Sequence, residues 1–318
     1  MRFCNPAAVH RYRFFYFGTH VEITLAETES PLEGVLYTQI DRLLRHLHVR
    51  WHPWQPGDLS TLNTTLKSGQ WVRVDPEMWE MLKKAQLFYR QSQGYFNPAL
   101  GGLFKVWGFH RDLPAPLWDA ARQIREIERF KVNLPTPLHL KFNPQNLTVQ
   151  SRHPLLQWDL SGFIKGKIML EIADLLEKNA KHNVLIDIGG DLYALGNRGG
   201  KPWRIGIAQP RDLKAAPWIV LLGDHQSIAT SGVYARYYDQ DQANRSPGTR
   251  RHHVINPKTL APSEGFYSVT VRDSDPLRAD AAATAILVAG PQAGALVAKS
   301  LHVEQVWAFD WDYKSYVY

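Results

Sequence analysis

The chain is short of several things, and each shortage closes off a class of protein. Cys4 is the only cysteine among 318 residues, so an intrachain disulfide framework and a cysteine-built zinc cage are both impossible. That thiol reads as an incidental or partly buried group. No uninterrupted apolar stretch stands out at membrane-spanning length, and no transmembrane segment is expected. The opening MRFCNPAAVHRYRFFYFGTH has neither a sustained apolar run nor a small-residue cleavage site. The cytoplasm is therefore the default location, and the periplasm is expected if a signal or lipid anchor was removed. Internal repeats, low-complexity tracts and Gly/Ser linkers are missing too, as is a G-x-G-x-x-G fingerprint between strand and helix, which argues against a doubly wound dinucleotide fold.

Charge of one sign is not extreme. Lysine and arginine total 37 against 30 aspartate and glutamate, leaving +7 with neutral histidines. The basic residues are dispersed, so the balance favours an anionic small molecule over nucleic acid or a membrane surface. Apolar residues make up 44% of the chain and aromatic ones 12%, enough to order a core.

Helical and strand-like intervals alternate. FGTHVEITL, residues 17–25, reads as a strand entered through a glycine turn, and residues 32–48 carry helix-spaced apolar positions. HPWQPGDLSTLN breaks the pattern with two prolines and a glycine. A helix is expected over 76–91, with Pro76 in its first turn and Glu77 near its positive end. Another is expected over 117–130, and LTVQ at 147–150 reads as a short strand. After DLSG, Ile164, Ile168, Ile172 and Leu176 recur every fourth residue, predicting an amphipathic helix from about Ser161. Its first amides would face the DLSG turn, to accept an anion or orient a carboxylate. NVLIDIGGDLYALG reads as a strand turning through Gly189 and Gly190 beside Asp191, and PWRIGIAQP, PWIVLLG, HHVIN, GFYSVTVRD and VEQVWAFD as further strands. A mixed α+β architecture follows.

Several groups could carry chemistry. In LRADAAATAILVAGP a helix would put Asp280 and Thr284 on one side, suited to a hard metal ion or equally to a solvated polar patch. The run RYYDQDQANRSPGTRRHH brings Arg236, Arg245, Arg250, Arg251, His252 and His253 before an apolar VIN, either for nucleotide binding or as a charged surface loop. Adjacent histidines do not make an H-E-x-x-H zinc helix. Gly94, Tyr95, Phe96 and Trp54 could border an aromatic cofactor or fill an irregular core. Thr230 and Ser231 in SIATSGVY could contact phosphate, and no Ser–His–Asp constellation is visible.

Taken in order, GTHVEITL, GDLSTLN, GYFNPALGGLFKVWGF, DLSGFIKG, DIGGDLYALG, SIATSGVY, HHVINPKT and ADAAATAILVAG resemble the FAD:protein FMN transferases, the ApbE-like flavin transferases, over about residues 17–309. The resemblance implies one catalytic unit over 1–318, of mixed α+β fold with T-fold-like substructures. It implies FAD as donor, Mg²⁺ as cofactor, and an acceptor flavoprotein that receives FMN on a threonine or serine through a phosphoester, with AMP released. Phe17, Trp54, Tyr95, Phe96 and Asn97 would line the flavin pocket, and Asp159, Lys165 and Ile255 would touch the donor. The Gly162 carbonyl, Asp280 and Thr284 would hold magnesium, and His253 would stand near the reacting diphosphate. Asn97 and Asn256 occupy positions where aspartate is common in the family, and Val233 one that is often polar or acidic. Such losses would bear on donor orientation, metal affinity or proton removal, so a noncatalytic FAD-binding protein and a magnesium-dependent FAD pyrophosphatase are the alternatives.

Overall fold

A computed structural model describes residues 2–3, 10–110, 114–212, 215–239 and 250–318 of the chain. Cys4 and Arg245 lie outside these residues. An eight-stranded sheet runs in the order β16 (Ser315–Val317), β15 (Gln305–Phe309), β14 (Ser268–Asp273), β11 (Gln226–Gly232), β8 (Asp191–Leu195), β7 (Val184–Ile188), β3 (Thr19–Leu25) and β2 (His10–Tyr16). Every neighbouring pair in it is antiparallel.

Both faces of this sheet are covered, which is why its central strands read as nearly continuous apolar runs. Along β7, Val184, Ile186 and Ile188 join the main core with the helices, while Leu185 joins a second core on the other face. That second core is closed by a small sheet of β1 (Arg2–Phe3), β9 (Trp203–Ile207) and β10 (Trp218–Leu222). Two further small sheets pair β4 (Val72–Arg73), β6 (Thr148–Gln150) and β5 (Lys141–Asn143), and β12 (Tyr237–Asp239) with β13 (Arg250–His252).

The helices follow from apolar spacing. In α1 (Gly34–Trp51), Leu36, Ile40, Leu44, Leu47 and Trp51 are buried at steps of three and four, the period of one helix face. α3 (Pro76–Gln91) starts where Asp75 accepts the Met78 N–H and Pro76 fixes the first turn. α4 (Gly101–Val106) and α5 (Ala120–Val132) flank a smaller core around Leu103, Phe130 and Ile255. α6 (Ile164–Lys178) buries Ile168, Ile172 and Leu176 fully, each such side chain contributing roughly 1.5–3 kcal/mol. α7 (Pro276–Leu301) lies against α6, β11 and β14. At Gly166 of α6 an added Cβ would come within 2.4 Å of the Pro276 backbone, so glycine lets the two helices meet at the start of α7.

Four expectations change. The prolines and glycine of HPWQPGD precede a helix, α2 (Asp58–Leu66), whose Leu59, Leu62 and Leu66 are buried and whose Thr64 and Thr65 hydroxyls bond back to carbonyls four residues earlier. α6 begins at Ile164, because residues 161–163 form turns in which Phe163 and Ile164 both donate to the Leu160 carbonyl. HHVIN is not one strand: β13 ends at His252, and Ile255 makes only an isolated bridge to Pro262. Finally, α7 is long and apolar enough to cross a membrane by length and composition, with mean hydropathy 1.6 over its 18-residue window. That window is 67% buried inside the protein and the helix breaks at Gly290, so α7 is read as the central core helix.

Candidate functional site

One end of the large sheet gathers the chemistry. The β2–β3 and β7–β8 hairpins turn there through two residues each, Phe17–Gly18 and Gly189–Gly190, all four at positive φ. Such turns match the twist of the strands and normally call for Gly or Asn. Phe17, at φ 57°, is therefore held in an unfavourable backbone conformation. The tips touch: Gly189 N–H donates to the His20 carbonyl, and a Cβ on Gly189 would stand 2.7 Å from Thr19 Oγ1. Asp191 follows directly as the first residue of β8.

Close packing of α6 on α7 brings Lys165, Asp191 and Asp280 together. The Lys165 ammonium forms an ion pair with Asp191 and stands 3.6 Å from Asp280 Oδ1. Asp191 is fully buried and its Oδ1 also accepts the Thr230 N–H at 2.8 Å. Burial works against the lysine charge, yet the two carboxylates outweigh it and hold the Lys165 pKa above the ordinary value. Burial pushes the Asp280 carboxyl up; Lys165 pulls it back, and the charge of Asp191 adds to the rise. Asp280 Oδ2 is buried with no hydrogen-bond partner.

The DLSG turn lies beside this cluster, fixed by Asn63. Its side chain donates to the Trp158 carbonyl at 2.9 Å and accepts the Trp158 N–H at 2.7 Å, clamping the backbone just before Asp159. Asp159 Oδ1 takes the Ser161 N–H at 2.9 Å. With the Phe163 and Ile164 amides spent on Leu160, the turn orients a carboxylate rather than presenting these amides to an anion. Burial raises the Asp159 pKa, against the Ser161 bonds and the charge of Arg236.

The expected magnesium ligands can be tested for fit. An added Cβ on Gly162 would lie 3.9 Å from Thr284 Oγ1, so the Gly162 backbone and Thr284 border the same space, and Thr284 Oγ1 is 3.0 Å from Ser231 Oγ. Thr284 sits one helical turn beyond Asp280. The unpartnered Asp280 oxygen, the Thr284 hydroxyl and the Gly162 peptide group are oxygen donors of the kind a hard divalent cation takes. Among the described residues no cluster of three or more His, Cys, Asp or Glu side chains could hold a metal, so any ion here would depend on such mixed ligands.

His253 follows β13. Its backbone N–H and its Nδ1 both lie 3.1 Å from the Arg236 carbonyl. A carbonyl only accepts, so Nδ1 carries the proton and Nε2 keeps its lone pair. Burial, helped by the charges of Arg236, His252 and Lys165, pulls the His253 pKa down to about 4, and the imidazole is neutral at physiological pH. Arg236 itself donates to the Phe109 carbonyl at 2.7 Å.

The aromatic residues form a looser wall. Phe17 meets His48 edge-on at 5.4 Å, His48 meets His52 at 5.5 Å, and His52 meets Trp54 at 6.1 Å. Phe17 N–H donates to His48 Nδ1, and the Trp54 and Gln55 N–H groups to His52 Nδ1. Tyr95 is half-buried with Lys258 Nζ 3.5 Å above its ring centroid. Phe96 is in the core, its ring edge-on to Phe163 and against Gly162. Asn97 is buried and spends its amide on the Pro135 carbonyl and the Ala99 N–H. Ile255 is buried in the smaller core with Leu100 and Leu260.

The structure thus pairs Lys165 with Asp280, sets the Gly162 backbone near Thr284 one helical turn on, bonds His253 to the Arg236 carbonyl with Asp159 within reach of the Arg236 charge, and sets Phe17 and Trp54 along one chain of rings. Ile255 packs instead in the smaller core with Leu100 and Leu260. Sequence reasoning missed the pairing of Asp191 with Lys165 and the clamp made by Asn63. A polar residue directly after a Gly-Gly turn, at the mouth of a doubly buried strand, was the available signal for Asp191.

The pattern that defines the ApbE family matches residues 17–307. A FAD:protein FMN transferase of Rhodobacter capsulatus is 32% identical over 302 residues, covering 95% of this chain and 55% of its own length. One of Vibrio cholerae is 30% identical over 275 residues, covering 83% and 76%. The chain therefore spans about half the length of the Rhodobacter relative. Among solved structures, the flavin transferase ApbE of Vibrio cholerae superposes with a TM-score of 0.80 at 27% identity, over 98% of this chain and 97% of that one. The ApbE protein of Thermotoga maritima gives 0.81 at 24% identity over 97% and 96%, a likeness of fold. The expected α+β fold is borne out. On the match across residues 17–307 and the 32% identity over nearly its whole length, this chain belongs to the ApbE family.

Proposed function

We propose that this protein is an enzyme that moves the FMN part of FAD onto a threonine or serine hydroxyl of a target flavoprotein and releases AMP. The observation that carries the reading is the pairing of Lys165 with Asp280, with Thr284 one helical turn on beside the Gly162 backbone and His253 held neutral within the field of Lys165, in a chain whose relatives bear that activity in their names.

The acceptor oxygen forms a bond to the phosphorus on the FMN side of the donor diphosphate. The bond from that phosphorus to the bridging oxygen breaks, and its electron pair leaves with AMP. His253 Nε2 takes the hydroxyl proton, a role that in positioned bases contributes about 10²–10⁴-fold. Lys165 offsets the charge of the diphosphate. Negative charge from a bound donor draws the His253 pKa back upward, which makes the base stronger when it is needed. Asp280, Thr284 and the Gly162 backbone would hold magnesium, which when bound supplies Lewis-acid neutralisation of phosphoryl charge. Phe17, Trp54 and Tyr95 border the isoalloxazine, a flat apolar group that such rings stack against.

The test is product analysis. Purified protein, FAD, Mg²⁺ and candidate flavoprotein subunits are incubated, and intact masses and nucleotides are resolved. Covalent FMN addition with one AMP per label is the expected result. AMP and free FMN without labelling would make the protein a pyrophosphatase, and FAD binding with neither product would make it a noncatalytic binder.

A further inference from the structure

We infer that Asp191 is a positioning residue that draws Lys165 towards itself, leaving only the longer contact to Asp280, and so keeps the Asp280 carboxylate available to a divalent cation. The inference rests on the reading of Asp280 as a metal ligand.

Three observations carry it. Lys165 is shared between two ion pairs, in direct contact with Asp191 Oδ2 and at 3.6 Å from Asp280 Oδ1, and Asp280 Oδ2, which like Asp191 Oδ2 is buried without a hydrogen bond, belongs to neither pair. Asp191 is itself immobilised: it is fully buried, its Oδ1 takes the Thr230 N–H, and the Gly189–Gly190 turn fixes the start of its strand. Thirdly, among the described residues Lys165 is the one cation ion-paired with these two buried carboxylates, and its side chain is only 25% exposed. An ammonium so placed takes the nearest anion. Without Asp191 only the pair with Asp280 is left and it tightens, and a lysine held closely by a metal ligand competes with the metal for it.

Asp191 therefore acts through Lys165, and the prediction is a pattern across variants rather than a single loss. Binding of manganese(II) alone to the apo-protein is titrated by electron paramagnetic resonance, with circular dichroism as the check on folding. Asp280→Ala is expected to lose the site. Asp191→Asn is expected to weaken binding about tenfold, within the range of coupling in one ion-pair network. Lys165→Met, and the double variant D191N/K165M, are expected to bind at least as tightly as the parent, since the competing cation is gone.

Parent-like binding by D191N while D280A has lost the site would overturn the role of Asp191 and leave the metal site standing. Parent-like binding by D280A would overturn the metal reading, and the inference would fall with it. If D191N does not fold, the double variant is compared with K165M alone, in which both charges are handled together. Equal affinities support action through Lys165, and a weaker double variant overturns it.

Discussion

At one end of the candidate site Asp191 and Asp280 are buried and Lys165 pairs with both. At the other, Phe17 and Trp54 are half-buried and joined through His48 and His52 by ring contacts of 5.4–6.1 Å. The charged end is cross-linked by the meeting of α6 and α7 and by a strand start locked in a glycine turn. The aromatic end hangs on a hairpin tip and the chain leaving α1. The difference matches what each end is proposed to handle. Charge developing at phosphorus is stabilised best by groups fixed before the reaction, while a flat ring gains from contact area and tolerates adjustment. Mutations at the charged end should therefore change rate, and those at the aromatic end affinity.

The largest break in that comparison should come from Asp280→Ala. Loss of the buried carboxylate is expected to lower magnesium-dependent turnover by roughly 10³-fold, the scale of removing one major electrostatic stabiliser, with FAD binding partly retained. A folded variant with the parent's rate and metal dependence would remove Asp280 from the site.

His253→Ala should lower single-turnover transfer at saturating FAD by about 10²–10³-fold and leave FAD affinity nearly unchanged. The same residue makes a pH prediction. Because its pKa is drawn down to about 4, the base is deprotonated above that value, so kcat/KM should stay level through the ordinary histidine range and fall only as pH drops towards 4. An acid limb near pH 6.5 in the parent that vanishes in H253A would place the histidine in a more solvated setting than the structure gives it.

Gly166→Ala tests the frame of the charged end. With backbone 2.4 Å from the new Cβ, α6 and α7 must part, at a cost of roughly 1–3 kcal/mol. Denaturant unfolding would read it, and an unchanged midpoint would show that the helices can separate without loss. Trp54→Ala, the smallest effect, should weaken FAD binding about five- to tenfold through lost contact and leave the rate at saturation intact. An unchanged Kd would take Trp54 out of the pocket.

How much of this was legible in the sequence depended on whether the cause was local. The helix over Pro76–Gln91 was legible to the residue, because its start signals, Pro76 and Glu77, lie within its own first turn. The same-face pair Asp280 and Thr284 was legible for the same reason. The helix Asp58–Leu66 was hidden because its four Ser and Thr residues look like loop, and their back-bonding to the preceding turn shows only in three dimensions. HHVIN looked like a strand, yet the Arg236 carbonyl captures both His253 N–H groups and ends the ladder. The pairing of Lys165 with Asp191 was out of reach, since it depends on a helix and a strand being brought together through the core.

The central claim is that the two ends serve one donor molecule. A crystal structure of the protein with FAD and Mg²⁺ tests it most directly. The account predicts the isoalloxazine against Trp54 and Tyr95, the diphosphate beside Lys165, and the ion on Asp280 and Thr284, with His253 Nε2 facing the FMN-side phosphorus. An isoalloxazine seated away from those rings, or a diphosphate beyond the reach of Lys165, would contradict it.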